Sequence, residues 1–407
     1  MVSVSLPVWW TFGGLVGGLV LGLLLAGSAA IQPILAVSEP VGQLWLRALQ
    51  MTIIPLVAAL LVIGIAQMAE AARAGAAARR MLFWIFVMLT GGGIATALLM
   101  PLLLRAFPIP AAASALLAGG AQDAQQVPGV ADFVMSLVAP NIVAAAAETA
   151  MLPLTIFFAL FAVAITRLPA VQRDSLLGLF RALGNAMLVM IGWVLGLAPV
   201  GVFALAIGVA ARAGGGAVTT LVHYILSVSA MGLVVLLGGY LLAALAGRVS
   251  PLRFARAILP AQAVAISTQS SLASLPAMLA SARRLDLREE SADFVLPLSV
   301  AIFRATSPAM NMAVAIYVAT LAGVELTPLT LAAGIAVALV ISVGSVSLPG
   351  SISFVISIGP IAIAMGVPVE PLALLVAVEM LPDIMRTLAN VTADVALVAA
   401  VDRTGRK

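Results

Sequence analysis

Long apolar runs recur along the whole chain, at about 8–29, 43–69, 81–107, 133–166, 183–211, 217–246, 257–281, 292–322, 329–365 and 371–401. A helix crosses a hydrocarbon core with about 20 residues, so this pattern predicts an all-helical polytopic membrane protein with roughly eight to ten passes. The connections are short, and none is long enough to hold a separate soluble domain. The first run is preceded by no basic segment and is followed by further runs, so it reads as a true first helix and not as a signal peptide.

Composition agrees with this reading. Of the 407 residues, 63% are hydrophobic and 9% charged, and mean hydropathy is +1.21. That leaves too little charge to cover a soluble surface. Cysteine is absent, which excludes disulfides and thiolate chemistry. The one histidine, His223, sits inside an apolar run, where it reads as a packed or interfacial residue. It cannot make a multi-histidine metal site. A pI near 10.3 invites a nucleic-acid partner, but the basic residues form short clusters between runs and no single patch. No nucleophile–base pair or metal cluster is visible, so an enzyme is not expected, and no cofactor.

The clusters follow a rhythm. Arg73, Arg79 and Arg80 follow the second run, Arg167, Arg173 and Arg181 the fourth, and Arg248, Arg253 and Arg256 the sixth; Arg403, Arg406 and Lys407 come last. The intervening connections hold only Arg47, Arg105 and Arg212. The positive-inside rule then puts the rich connections and both termini in the cytoplasm, and the protein in the inner (plasma) membrane. The rhythm breaks at 257–281, which has Arg253 and Arg256 before it and Arg283, Arg284 and Arg288 after it. A re-entrant hairpin that enters and leaves on the cytoplasmic side removes the conflict. The run 329–365 is the mirror case, flanked by Glu325 and Glu370 with no basic residue, and reads as a hairpin from outside. The expectation is eight transmembrane helices and two opposed re-entrant helical hairpins, at about 253–283 and 328–366.

Each hairpin is interrupted by a small polar stretch closed by Leu-Pro, Ser267 to Pro276 in the first and Ser342 to Ser351 in the second. Non-helical backbone at membrane depth is tolerated only against protein or a water-filled site, where half-helix ends offer N–H and C=O groups to ions and substrates. Two merely kinked spans are the plainer alternative. The last run contains Glu379, Asp383, Arg386, Asn390 and Asp394, at spacings that keep them on one helix face. Ionisable groups in spans are costly and usually functional. Arg386 can grip a carboxylate bidentately, and Asp383 can receive an ammonium or neutralise Arg386. The plainer alternative is an internal salt-bridge ladder.

The segment from Asp383 through Arg386-Thr387 and Asn390 to Asp394 resembles the last-span signature of the glutamate transporter family, the dicarboxylate/amino acid:cation symporters. The serine-rich first hairpin, the Pro-Gly second hairpin, and the runs Leu152–Ala159 and Ala198–Leu205 resemble the same family. The resemblance is good from about 148 to 402 and weak before. It implies an elevator-type homotrimer. Residues 1–80 (spans 1–2) and 133–213 (spans 4–5) would form the scaffold. Residues 81–132 (span 3 and an external loop) and 214–407 would form the transport domain. It implies that Arg386 binds the substrate's side-chain carboxylate and Asp383 its amino group. Thr387, Asn390, Ser270, Ser271 and the second tip with Val346, Ser347 and Pro349 complete the pocket, and Asp394 is a sodium ligand.

One family motif fails. Aligned without gaps from Leu296-Pro297-Leu298, the family's Asn-Met-Asp-Gly-Thr falls on Phe303-Arg304-Ala305-Thr306-Ser307. A carboxylate has become Ala305, and Arg304 has arrived beside it. A shifted reading on Asn311-Met312 needs an insertion and still lacks the aspartate. Sodium wants several oxygen ligands and negative charge, so this site should be weakened or lost. Arg304 then reads as a tethered cation with Asp394 or Glu379 as its acidic partner, or as a purely structural arginine. The leading expectation is a secondary transporter of an acidic, glutamate- or aspartate-like amino acid, not strictly sodium-dependent, with a proton or no ion as the coupling partner. A C4-dicarboxylate carrier, proton-coupled or exchanging, is the alternative; an anion channel and a non-transporting receptor are more remote.

Overall fold

A computed structural model of the chain describes residues 8–73, 75–111, 113, 135, 138–148, 150–213, 216–344 and 350–404. Among these there is no strand. The helices are α1 (Val8–Leu25), α2 (Ile31–Gln50), α3 (Ile53–Arg73), α4 (Ala76–Ala106), α5 (Ile142–Ala147), α6 (Met151–Ile165), α7 (Ala170–Gly196), α8 (Ala198–Ala213), α9 (Gly216–Leu245), α10 (Pro251–Thr268), α11 (Leu275–Arg284), α12 (Glu289–Ile302), α13 (Ser307–Ala322), α14 (Pro328–Gly344), α15 (Gly350–Ala364), α16 (Leu372–Leu375) and α17 (Met380–Thr404).

Among the described residues four helices are long and apolar enough to cross a membrane unbroken: α4, α7, α9, and α17 as far as Asp402. Most other apolar runs are divided. The run expected at 43–69 splits at Met51-Thr52, with a helix, α2, that the sequence did not suggest as separate. The run at 183–211 splits at Leu197, that at 292–322 over residues 303–306, and that at 371–401 over residues 376–379. A proline opens the new helix each time: Pro55, Pro199, Pro308 and Pro382. Proline lacks the N–H that would continue the preceding helix, yet fits a first turn where no partner is needed. Pro276 does the same in the first hairpin, at the start of α11.

Two sets of helices pack together. In one, α1 and α2 lie on α8, and α3 lies between α6 and α7. The α1–α8 contact is close because glycines recur every four residues. A Cβ on Gly14, Gly18 or Gly22 would fall 2.4, 2.5 and 2.6 Å from the carbonyl oxygens of Pro199, Phe203 and Ile207. In the other set, α17 is surrounded by α9, α10, α11, α12 and α4, while α4 also lies against α13. Within its membrane-length window 83% of α17 is buried inside the protein, against 28–39% for the other three long helices. An apolar helix shielded this way from lipid is free to carry polar groups.

Candidate functional site

The site is built where α17 starts. Glu379 lies in the turn before the helix, and its carbonyl accepts the Asp383 N–H at 2.9 Å, so both residues join the register that carries Arg386. The Arg386 guanidinium is enclosed on three sides. Its Nη2 donates to Glu379 Oε1 at 2.7 Å, its Nη1 donates to Asn311 Oδ1 at 3.0 Å, and its Nε lies 3.4 Å from Asp383 Oδ1. The Arg386 side chain is 6% exposed and that of Glu379 is 0% exposed. Charges taken this far from water persist only when paired and hydrogen-bonded.

Partners from other helices complete the cluster. Asn311 on α13 donates from Nδ2 to Ser307 Oγ at 3.1 Å, and Ser342 Oγ, near the end of the first arm of the second hairpin, lies 2.9 Å from Ser307 Oγ. Tyr224 on α9 is fully buried and donates to Glu379 Oε2 at 3.5 Å, a long contact. Its ring meets Tyr317 edge-on, and the Tyr317 hydroxyl lies 3.1 Å from His223 Nδ1. His223 is thus a packed, hydrogen-bonded residue, with Nε2 3.1 Å from the Phe107 carbonyl.

Arg304 is partly buried in the break between α12 and α13. Its acidic neighbour is Asp383, with Arg386 as a like-charged neighbour. Asp383 is not one of the acidic neighbours, Asp394 and Glu379, expected for it from the sequence. Glu379 is held by Arg386 and Tyr224, and Asp394 is about 16 Å further along the helix axis than Asp383. The same break is closed by Asn390, whose Oδ1 accepts both the N–H and the hydroxyl of Thr306, each at 3.0 Å. Thr387 is buried on the turn between.

Asp394 is 1% exposed, and neither carboxylate oxygen has a hydrogen-bond partner. Its polar neighbour Ser299 donates instead to the Leu296 carbonyl at 3.0 Å. Ala305 offers no side-chain ligand, and Asn390 Oδ1 is already taken by two donors. Among the described residues no three His, Cys, Asp or Glu side chains converge as a metal site.

At the first hairpin tip Gln269 takes a left-handed conformation, φ 51°, which turns the chain out of α10. Ser270 then serves the turn itself: its hydroxyl accepts the Ala273 N–H at 3.2 Å, and its carbonyl accepts the Ser274 hydroxyl at 2.9 Å. Ser270 and Ser271 are partly exposed, and among the described residues neither hydrogen-bonds to the Arg386 cluster. Val346, Ser347 and Pro349 lie outside the described residues. The structure therefore unites Arg386, Asp383, Glu379, Arg304 and Ser307, joins Thr306 to Asn390, and leaves Asp394 apart. Tyr224 carries no sequence signal for this site. Asn311 enters the sequence reading only within the shifted cation motif, which needs an insertion and lacks the aspartate, and Ser342 only as the first residue of the second polar stretch.

The comparisons with known proteins extend over the whole chain. The model of the sodium:dicarboxylate symporter family matches residues 8–404. The proton/glutamate-aspartate symporter of Escherichia coli (strain K12) is 27% identical, over 98% of this chain and 93% of that protein. The proton/sodium-glutamate symport protein of Bacillus subtilis (strain 168) is 27% identical, over 96% and 90%. The neutral amino acid transporter B(0) of Oryctolagus cuniculus is 27% identical, over 96% and 78%. With apolar helices throughout, a buried charged cluster and a family match from end to end of the described residues, the chain belongs to the sodium:dicarboxylate symporter family of membrane transporters.

Proposed function

We propose that the protein is a secondary transporter of a small acidic amino acid, moved by an elevator motion and not strictly dependent on sodium. The observation that carries this reading is the buried Arg386 guanidinium, held at the start of α17 by Glu379 from the turn before it, Asp383 from the same helix and Asn311 from α13. Such a fork can hold a carboxylate through two parallel charge-assisted bonds. Asp383 is the acceptor for the substrate's amino group, since its 3.4 Å contact with Arg386 is the loosest of the three. Asn390 and Thr387 shape the pocket wall, and the first and second hairpin tips, Ser270-Ser271 and Val346 to Pro349, close it.

The relatives named for glutamate and aspartate support an acidic amino acid. The neutral amino acid relative carries a different specificity in its name at a similar level of identity. A C4-dicarboxylate carrier is the second reading, favoured by Asp383 facing two guanidiniums, which leaves it less free for an ammonium. The weak sodium requirement rests on Ala305 and Arg304. One removes a carboxylate from the cation motif and the other adds a positive charge beside Asp383. Spans 1, 2, 4 and 5 form the scaffold of a homotrimer, and the helices around α17 form the moving part. Its two opposed hairpins sit within eight spans, and both termini lie in the cytoplasm.

The test is uptake and counterflow of labelled aspartate, glutamate, malate and succinate in proteoliposomes, in sodium, potassium or choline, with and without a pH gradient. Accumulation of an acidic amino acid in choline is the expected result. Transport of dicarboxylates alone favours the second reading, and no counterflow of any acidic substrate removes both.

A further inference from the structure

Away from the Arg386 cluster, the start of α10 and the end of α11 enclose a cavity of about 370 Å³, lined by Ser250, Leu252, Arg253, Arg256, Ala257 and Arg284. Two left-handed residues, Arg248 at φ 51° and Asp286 at φ 53°, turn the chain on either side of it. Arg253 is held by Asp286. Arg283, which is not part of the lining, is held by Glu289 at 3.0 Å. The side chains of Arg256 and Arg284 have no ion pair or hydrogen bond among the described residues. The guanidiniums around this cavity repel one another, and Asp286 offsets only one of them.

The start of α10 adds donors of its own. The N–H groups of Leu252 and Arg253 lie in the first turn, where a helix supplies no acceptor, and the Ser250 hydroxyl makes no cap bond. Donors and positive charge gathered without acceptors suit an oxyanion. The surface that continues from the cavity is apolar. Leu252, Leu259 and Ile266 are 63%, 59% and 48% exposed, and they recur every seven residues, so they share one side of α10. Arg256 lies on that side between the first two. A free phosphate would use the arginines and leave this apolar stripe idle, whereas a phospholipid uses both. On the topology proposed above, this end of α10 stands at the level of the cytoplasmic headgroups, where anionic lipid concentrates.

We propose that the cavity is a binding site for an anionic phospholipid, with the headgroup phosphate between Arg256 and Arg284 and an acyl chain along Leu252, Leu259 and Ile266. The phosphate oxygens accept from the two guanidiniums and from the Ser250 hydroxyl. The bound lipid ties the start of α10 to the end of α11, across the base of the first hairpin.

The experiment is equilibrium binding of a fluorescent phosphatidic acid to the purified full chain in a neutral detergent. Unlabelled phosphatidic acid, phosphatidylcholine and inorganic phosphate serve as competitors. Phosphatidic acid should displace the probe at least about tenfold better than either of the others. Arg256→Gln and Arg284→Gln should each weaken binding about fivefold, while Arg283→Gln, which removes the same charge next door, should leave it unchanged. Equal loss in all three variants overturns the proposal, because attraction to net charge alone would explain it. So does displacement by phosphatidylcholine as effective as by phosphatidic acid, a result from wild type that needs no variant to fold. Inorganic phosphate that competes as well as phosphatidic acid assigns the arginines to a free phosphate and overturns the lipid assignment.

Discussion

Arg386 shows what side-chain spacing can and cannot reveal. Its place on one face with Asp383 and Asn390 was legible, because 3.6 residues per turn brings such positions together within one helix. Its bond to Asn311 and the Tyr224–Glu379 bond beside it were not, because these join residues 75 and 155 positions apart in the chain, and nothing local marks such pairings. Replacing Arg386 by Ala removes the guanidinium proposed to grip the substrate carboxylate. Affinity for the acidic substrate should fall at least about tenfold, measured as equilibrium binding to purified protein. Near-normal binding would refute the assignment. Asp383→Asn separates the two substrate classes. For an amino-acid carrier it should weaken aspartate and glutamate binding while a des-amino dicarboxylate binds no worse. A wild type that prefers malate or succinate to either amino acid would show that the amino-group role is wrong.

Helix breaks were harder to read than helices. Hydropathy averages over a window, so α7 continuing past Leu197 into α8, or α12 into α13, looks like one unbroken span. The signal lay in the prolines Pro55, Pro199, Pro308 and Pro382, each within the first turns of a restarted helix. At α10–α11 and α14–α15 the placing of basic residues supplied a second, independent signal, and two short helices flank each polar stretch. Close helix contact was also legible only in part. The recurrence of glycine on α1 was visible, but its partner α8 was not. Because a Cβ at Gly18 would sit 2.5 Å from a backbone carbonyl, which cannot rotate away, Gly18→Leu should push α1 off α8. The expected result is a lower thermal stability in detergent, read by size-exclusion chromatography after heating, while Gly13→Leu, with nothing within 4 Å, should be tolerated. Equal stability of the two variants would mean that the contact carries no weight.

At the scale of the whole molecule, the proposed function has Arg304 and Ala305 replace a cation requirement with a fixed charge. Substrate affinity should change little when sodium is titrated against choline at constant ionic strength. Arg304→Met with Ala305→Asp should lower affinity in choline and partly restore it in sodium. A steep, multi-ion dependence of the wild type on sodium would show that the cation sites survive and that the fixed charge replaces nothing.

The burial of α17 has a consequence for how the molecule comes into being. Its neighbours α4, α9, α10, α11 and α12 all precede it in the chain, yet they share their inner faces with it. While the chain is being made, these earlier helices enter the bilayer with those faces unfilled, and Arg304 waits there without Asp383. The last turn is then fastened to the start of α12, where Asp402 accepts bonds from Arg288 and Ser291. Assembly of this half is therefore a late event that follows synthesis of α17 rather than a stepwise one. Stalled nascent chains ending before Met380 should stay open to protease within 216–322, and chains that extend past Asp402 should become resistant together, in one step.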